Sequence, residues 1–145
     1  MQTKYLAFTL TFAAILSITS PAHAQCPDGV TNPVEVLFGT WTFDMHGQIR
    51  AAPFASAGQF TAALKTVNGA QVPTLTITQT TSDGARLETD TGTFQVFPDC
   101  SGGTLTFNTS SRPFQFDFWF DEFFSEIRFV STSTGVSVKG TAEMF

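Results

Sequence analysis

Histidine is almost missing from this chain of 145 residues, which holds two: His23, inside a leader-like segment, and His46. Cysteine is as scarce, at two; tyrosine occurs once, as Tyr5; and charged residues make up only 13%. One histidine and two cysteines beyond the leader exclude the common zinc constellations. A nucleophile elbow, a phosphate-cradling loop and an H-E-x-x-H pair are all absent, so no familiar hydrolase, nucleotide or metalloprotease chemistry is announced. Seven basic residues face twelve acids, for a formal net charge of −5, which argues against nucleic acid or an anionic membrane surface as a partner. No stretch beyond the leader keeps a convincing helical period. These absences describe a protein without metal, cofactor or catalytic residues.

The first residues read as an export signal. Lys4 precedes an apolar run, Tyr5 to Ile18, and Ser20-Pro21 leads into Ala22-His23-Ala24, matching the basic, apolar and A-x-A parts of a secretory signal. The run falls short of the roughly 20 residues that span a bilayer, and Thr and Ser interrupt it. His23-Ala24-Gln25 offers no small residue just before Cys26 of the kind lipoprotein processing wants. The expected organisation is a signal peptide at 1–24, an N-terminal tail at 25–36 and a single β-barrel domain at 37–145. The mature chain is expected to be exported to the periplasm or beyond the cell, with no membrane insertion after cleavage. It is large enough for one hydrophobic core. In an oxidising compartment Cys26 and Cys100 are expected to form a disulfide, tying the tail to a mid-chain loop. Closing so long a loop contributes on the order of 4 kcal/mol in the chain-entropy view.

From Leu37 onward the recurring signal is period two, which sends alternate side chains to opposite faces of a sheet. Trp41, Phe43 and Met45 share one face; Thr40, Thr42, Asp44 and His46 share the other. Leu75 and Ile77 alternate with threonines, as do Leu105 and Phe107; Phe94 and Val96 alternate with polar residues. In F-Q-F-D-F-W-F, Phe114, Phe116, Phe118 and Phe120 all face one way, and Ile127 with Phe129, then Val136 with Val138, continue the pattern. Ala51 to Leu64 has weak helical character, but Pro53, Gly58 and the even spacing of Phe54 and Phe60 favour a strand. Turn signals separate the runs, among them Asn68-Gly69, Ser82-Asp83-Gly84 and Ser133-Thr134-Gly135. About eight short strands in sequence suit an all-β, antiparallel up-and-down barrel or a sandwich. Closure hides the aromatic face and removes the sheet edges.

Seventeen phenylalanines, less Phe8 and Phe12 in the leader, join Trp41 and Trp119. Interior rings of this kind supply dispersion and stacking with almost no hydrogen-bond code. They either fill the barrel solid or line a pocket for a small apolar or aromatic ligand. The candidate lining residues are Trp41, Phe43, Met45, Phe107, Phe116 and Phe118. Trp119 falls out of phase with the Phe row and reads as a surface residue covered by a loop or tail, or as a stacking platform. Asp44 with His46, Glu88 with Asp90, and Asp117 with Asp121 have acid–base spacing but read as solvated polar faces opposite the aromatic side. Asp121-Glu122 with Glu126 lacks the spacing of a calcium loop and reads as a solvated turn. Asn108-Thr109-Ser110 matches a glycosylation sequon.

Two resemblances bear on these readings. Gly39-Thr40-Trp41, on the first strand of a small exported chain, resembles the G-x-W signature of lipocalins and their calycin relatives. That likeness implies an eight-stranded barrel in which Trp41 closes one end and a late basic residue, here Arg128, packs over it. Separately, Gly92-Thr93-Phe94-Gln95-Val96-Phe97-Pro98-Asp99-Cys100-Ser101-Gly102, then Glu126-Ile127-Arg128-Phe129-Val130-Ser131-Thr132 and Gly140-Thr141-Ala142, is similar to a pattern in uncharacterised secreted bacterial β-barrel proteins, with Phe94 where they prefer Tyr. The combined expectation is a secreted, disulfide-tied, calycin-like barrel that acts without catalysis. It binds a small apolar ligand or serves as an envelope or extracellular interaction module. The alternative is a small barrel isomerase or cyclase, by fold analogy with allene oxide cyclase-like proteins, using an apolar cavity and a carboxylate or His46.

Overall fold

The period-two segments become strands in the computed structural model, which describes residues 26–81, 86–108 and 113–145. The expected signal peptide, the turn Ser82-Asp83-Gly84 and Thr109-Ser110 of the sequon lie outside the described residues. The strands are β1 (Gly39–Ile49), β2 (Ala52–Val67), β3 (Ala70–Thr81), β4 (Arg86–Val96), β5 (Gly102–Asn108), β6 (Pro113–Phe120), β7 (Glu126–Ser131) and β8 (Val136–Met144). Each pairs antiparallel with the next, and β8 pairs with β1, so the sheet closes on itself as an eight-stranded up-and-down barrel. Ala51 to Leu64, the segment with mixed signals, lies almost wholly in β2, with Phe60 fully inside and Phe54 half-buried.

Two elements differ from the sequence expectation. Leu37 does not open the first strand; it ends a 3-10 helix, Pro33–Leu37, which starts at Pro33 after Asn32 accepts a hydrogen bond from the Val34 backbone N–H. The strands β2 and β3, at 16 and 12 residues, are also longer than the short runs suggest. Their shared hairpin, turning at Asn68-Gly69 with both residues at positive φ, carries side chains exposed from Leu64 to Gln71. Hydrophobic periodicity marks only the part of each strand that faces the core, so it stops before such a tip.

Five inward-facing rings are registered against glycines on neighbouring strands. Phe43 is registered with Gly58, Phe54 with Gly47, Phe107 with Gly92, Phe118 with Gly103 and Phe129 with Gly140. A Cβ on Gly103 would stand 2.9 Å from the Phe118 ring and 1.9 Å from the Gln95 carbonyl oxygen; one on Gly140 would stand 2.6 Å from the Phe129 ring. Rings thus occupy the volume that these glycines vacate, a pairing that also lets a small sheet curve tightly enough to close. The result is one dry cluster that includes Trp41, Phe60, Leu75, Ile77, Leu105, Phe116, Phe118, Ile127 and Val138.

One barrel end is plugged. The 3-10 helix brings Leu37 under Trp41, whose indole Nε1 donates to the Leu37 carbonyl oxygen at 2.9 Å, and both residues are fully buried. Trp41 stacks on Phe60 at 6.2 Å, and Phe38, just past the helix, meets Phe94 edge-on. The Cys26–Cys100 disulfide fastens the residues ahead of this helix to the β4–β5 turn at the same end, as expected. Arg128 is not part of the plug, contrary to what the lipocalin-like motif implies. It alternates between the inward Ile127 and Phe129, so its side chain lies on the outer wall, 78% exposed, bonded to Glu126 at 3.0 Å.

Replacing Gly103 with Ala drives a methyl into both the Gln95 carbonyl and the Phe118 ring, so it should lower the urea-unfolding free energy by about 1–3 kcal/mol or more. An unchanged midpoint would mean that the Phe118–Gly103 register is not as described.

Candidate functional site

The six interior residues expected from sequence all lie inside, at 0–4% exposure, but at different heights. Trp41 belongs to the plugged end. Phe118 lies over Gly103, early in β5, and its ring meets Phe120. At mid-height a chain of rings crosses the barrel: Phe60 to Phe43 at 6.2 Å, Phe43 to Phe107 at 6.4 Å, Phe107 to Phe116 at 5.2 Å and Phe116 to Phe129 at 5.5 Å. β1 and β5 stand opposite each other in the closed ring, so Phe43 and Phe107 meet across the lumen. Met45 continues from Phe43 toward the far end, the end that carries the β1–β2 turn at Arg50-Ala51 and the β7–β8 turn.

In that far half the interior is not purely aromatic. Ser56 and Gln79 are each only 5% exposed, and the Ser56 hydroxyl donates to Gln79 Oε1 at 2.9 Å. Gln79 Nε2 in turn donates to Asp90 Oδ2 at 3.4 Å. Asp90 is registered with the inward Ile77 and precedes the inward Gly92 and Phe94 in phase, so it faces the lumen and is half-buried. Reading Asp90 as part of a solvated outer face is therefore corrected, as is the expectation that the interior lacks a hydrogen-bond code. The register between β3 and β4 shifts between Ile77 and Gln79, a bulge of the kind that re-aims side chains. Met45 is registered with Ser56 and completes an arc from β1 to β4.

Sequence reasoning misses Ser56 and Gln79 although the signal is present. Gln79 keeps step with Leu75 and Ile77, and Ser56 with Phe54 and Phe60. Polar residues in phase with a hydrophobic row are inward unless a bulge intervenes.

Outside the barrel, the spaced acids and His46 hold no converging acid–base pair among the described residues. Asp44 and His46 are exposed on the outer wall of β1, where Thr141 donates to Asp44 at 3.2 Å and His46 is registered with Lys139 rather than an acid. A depression of about 570 Å³ beside Gly47 includes His46, Gln48, Phe54 and Lys139 but no carboxylate. Trp119 is 49% exposed, standing between Gly102 and Arg128, so none of the described loops or tails shelters it. Asp121 organises the β6–β7 turn: Oδ1 accepts from the backbone N–H of Ser125 (2.8 Å) and Glu126 (2.9 Å), and Oδ2 from the Ser125 hydroxyl at 3.1 Å. Partial burial pushes its carboxyl pKa up, but the hydrogen bonds from Glu126, Ser125 and Phe123 outweigh that and hold it below the usual value.

No protein-family model matches the chain, and no curated protein matches it by sequence. Solved structures do share its fold. The redesigned β-barrel mFAP1, bound to DFHBI, superposes with a TM-score of 0.58 at 22% identity, over 78% of this chain and 99% of that one. A fluorescence-activating β-barrel designed de novo gives 0.56 at 13% identity, over 80% of this chain and 100% of that one. The redesigned barrel mFAP0, also bound to DFHBI, gives 0.55 at 21% identity, over 74% and 98%. At these identities the likeness is one of fold.

A carboxylate with a depressed pKa stabilises the fold fully above its unfolded value of about 4, and that contribution is lost as pH falls through the lower folded value. Asp121→Ala should cost about 1 kcal/mol at neutral pH and flatten the stability decline below about pH 4. Identical urea midpoints for variant and parent across that range would contradict the turn's dependence on this carboxylate.

Proposed function

We propose that the protein is an exported, non-catalytic barrel that takes one small apolar or aromatic molecule into the half of its interior away from the 3-10 plug. The observation that carries this reading is the inward Ser56–Gln79–Asp90 network. A barrel meant only to be filled has no use for buried polar groups, which cost free energy unless bonded; a binding site uses a few of them to orient its ligand. They sit beside Met45, whose unbranched, polarizable chain repacks easily around a guest. The plugged end, the ring layer and the polar arc beyond it follow one another in the order that a cup-shaped site requires. The bound DFHBI in mFAP1 and mFAP0 supports the idea that a frame of this kind can hold a small molecule. Export is supported by the leader-like first 24 residues and by the Cys26–Cys100 disulfide, a bond that persists in oxidising compartments.

A second reading, an interaction module, is favoured by the outer wall at the plugged end. There Phe97 and Trp119, 45% and 49% exposed, stand on either side of the side-chain-free Gly102, with Phe123 in the next turn also exposed. Such surface aromatics are typical of contact sites.

The neutral naphthalene dye prodan should bind the disulfide-bonded protein at one molecule per chain, with a blue-shifted emission. Met45→Trp, which fills the upper chamber at a cost of about 1–3 kcal/mol, should abolish that signal while the far-UV spectrum is kept. Dye binding that survives Met45→Trp, or no binding to the parent, would remove the luminal reading and leave the outer wall.

A further inference from the structure

We propose that the molecule held in the upper chamber carries a protonated amine, seated on Asp90, Gln79 and Ser56; this rests on the luminal reading above. The network is unbalanced in a way that specifies its guest. Ser56 spends its single hydrogen on Gln79 Oε1, keeping both oxygen lone pairs, while Oε1 keeps one. Asp90 receives one long contact, 3.4 Å, at Oδ2, and among the described residues nothing else donates to it. Against these acceptors, unused among the described residues, stands one donor likewise unused among them, the second hydrogen of Gln79 Nε2. The amide orientation is fixed by chemistry, because turning it would set Oε1 against the Asp90 carboxylate. An ammonium group has three N–H donors and no acceptor, so it satisfies this surplus and adds nothing to it. An alcohol brings its own lone pairs, and an anion meets repulsion.

Charge leads to the same class. Asp90 is half-buried, and the ion pair formed among the described residues, Arg128 with Glu126, is on the outer wall. Around Asp90 the inward walls are Leu75 and Ile77 on β3, Met45 beyond Ser56, and Phe107 opposite Gly92, one inward step along β4. A carboxylate beside apolar walls favours a cationic partner. The geometry therefore suits a primary amine on an apolar or aromatic body, the body resting on the ring floor and the ammonium at the polar arc.

Calorimetry with 2-(1-naphthyl)ethylamine and its neutral analogue 2-(1-naphthyl)ethanol at about pH 7 tests this. The amine should bind at least about ten-fold tighter than the alcohol, a preference that Asp90→Asn removes and that Asp44→Asn on the outer wall leaves intact. Equal or tighter binding of the alcohol to the parent would overturn the amine while leaving the luminal site standing. A preference that persists in Asp90→Asn would overturn the assignment to the inner arc. Binding of neither compound would overturn the luminal reading as well. The parent comparison needs no variant to fold.

Discussion

Five of the barrel's rings each stand opposite a place in the wall that holds no side chain. In a closed eight-stranded barrel the inner surface is too narrow for a ring at each inward position, and this chain meets the limit by registering Phe43, Phe54, Phe107, Phe118 and Phe129 against glycines on adjacent strands. Adding back even a Cβ at several of these glycines brings it under 3.0 Å from neighbouring backbone. Closure, ring packing and register are consequently one constraint rather than three. A slip of one residue would turn the Phe row outward and, at the same time, set its rings against side chains.

From that constraint the division of the interior follows. With Phe43 and Phe107 meeting across the lumen, the lower part is a sealed core under the Trp41–Leu37 plug. The upper part holds Met45 and the polar arc. The disulfide at the plugged end secures the short helix that completes the seal, so rigidity is concentrated where nothing needs to enter. On the proposed reading, binding depends on a few inward polar atoms placed above the ring layer.

Much of the architecture is legible in the sequence because alternation reports directly on which side of a sheet a residue occupies. Trp41, Phe43 and Met45, and the row from Phe114 to Phe120, are readable in this way, as is the pairing of Cys26 with Cys100. What cannot be read depends on register. The Phe–Gly pairs come from different strands, and nothing in one strand announces its partner. Asp90 is misleading in another way: together with Glu88 it looks like a polar face, although it keeps step with Gly92 and Phe94 and is registered with the inward Ile77. Arg128 illustrates the opposite error, where a motif suggests a plug residue that simple alternation already places outside. Leu37 is apolar and in phase with Trp41, yet Pro33 and Asn32 start a helical turn that ends on it.

Proton–proton contacts between the rings of Phe43 and Phe107 offer the most direct test. The two residues lie far apart in sequence and on opposite strands of the ring, so a cross-peak between their aromatic protons in a nuclear Overhauser spectrum can arise only across a filled lumen. That cross-peak is expected in the ligand-free protein. Its absence, with both rings assigned and the sheet intact, would show that the middle of the barrel is open and that the ring layer beneath the polar arc does not exist.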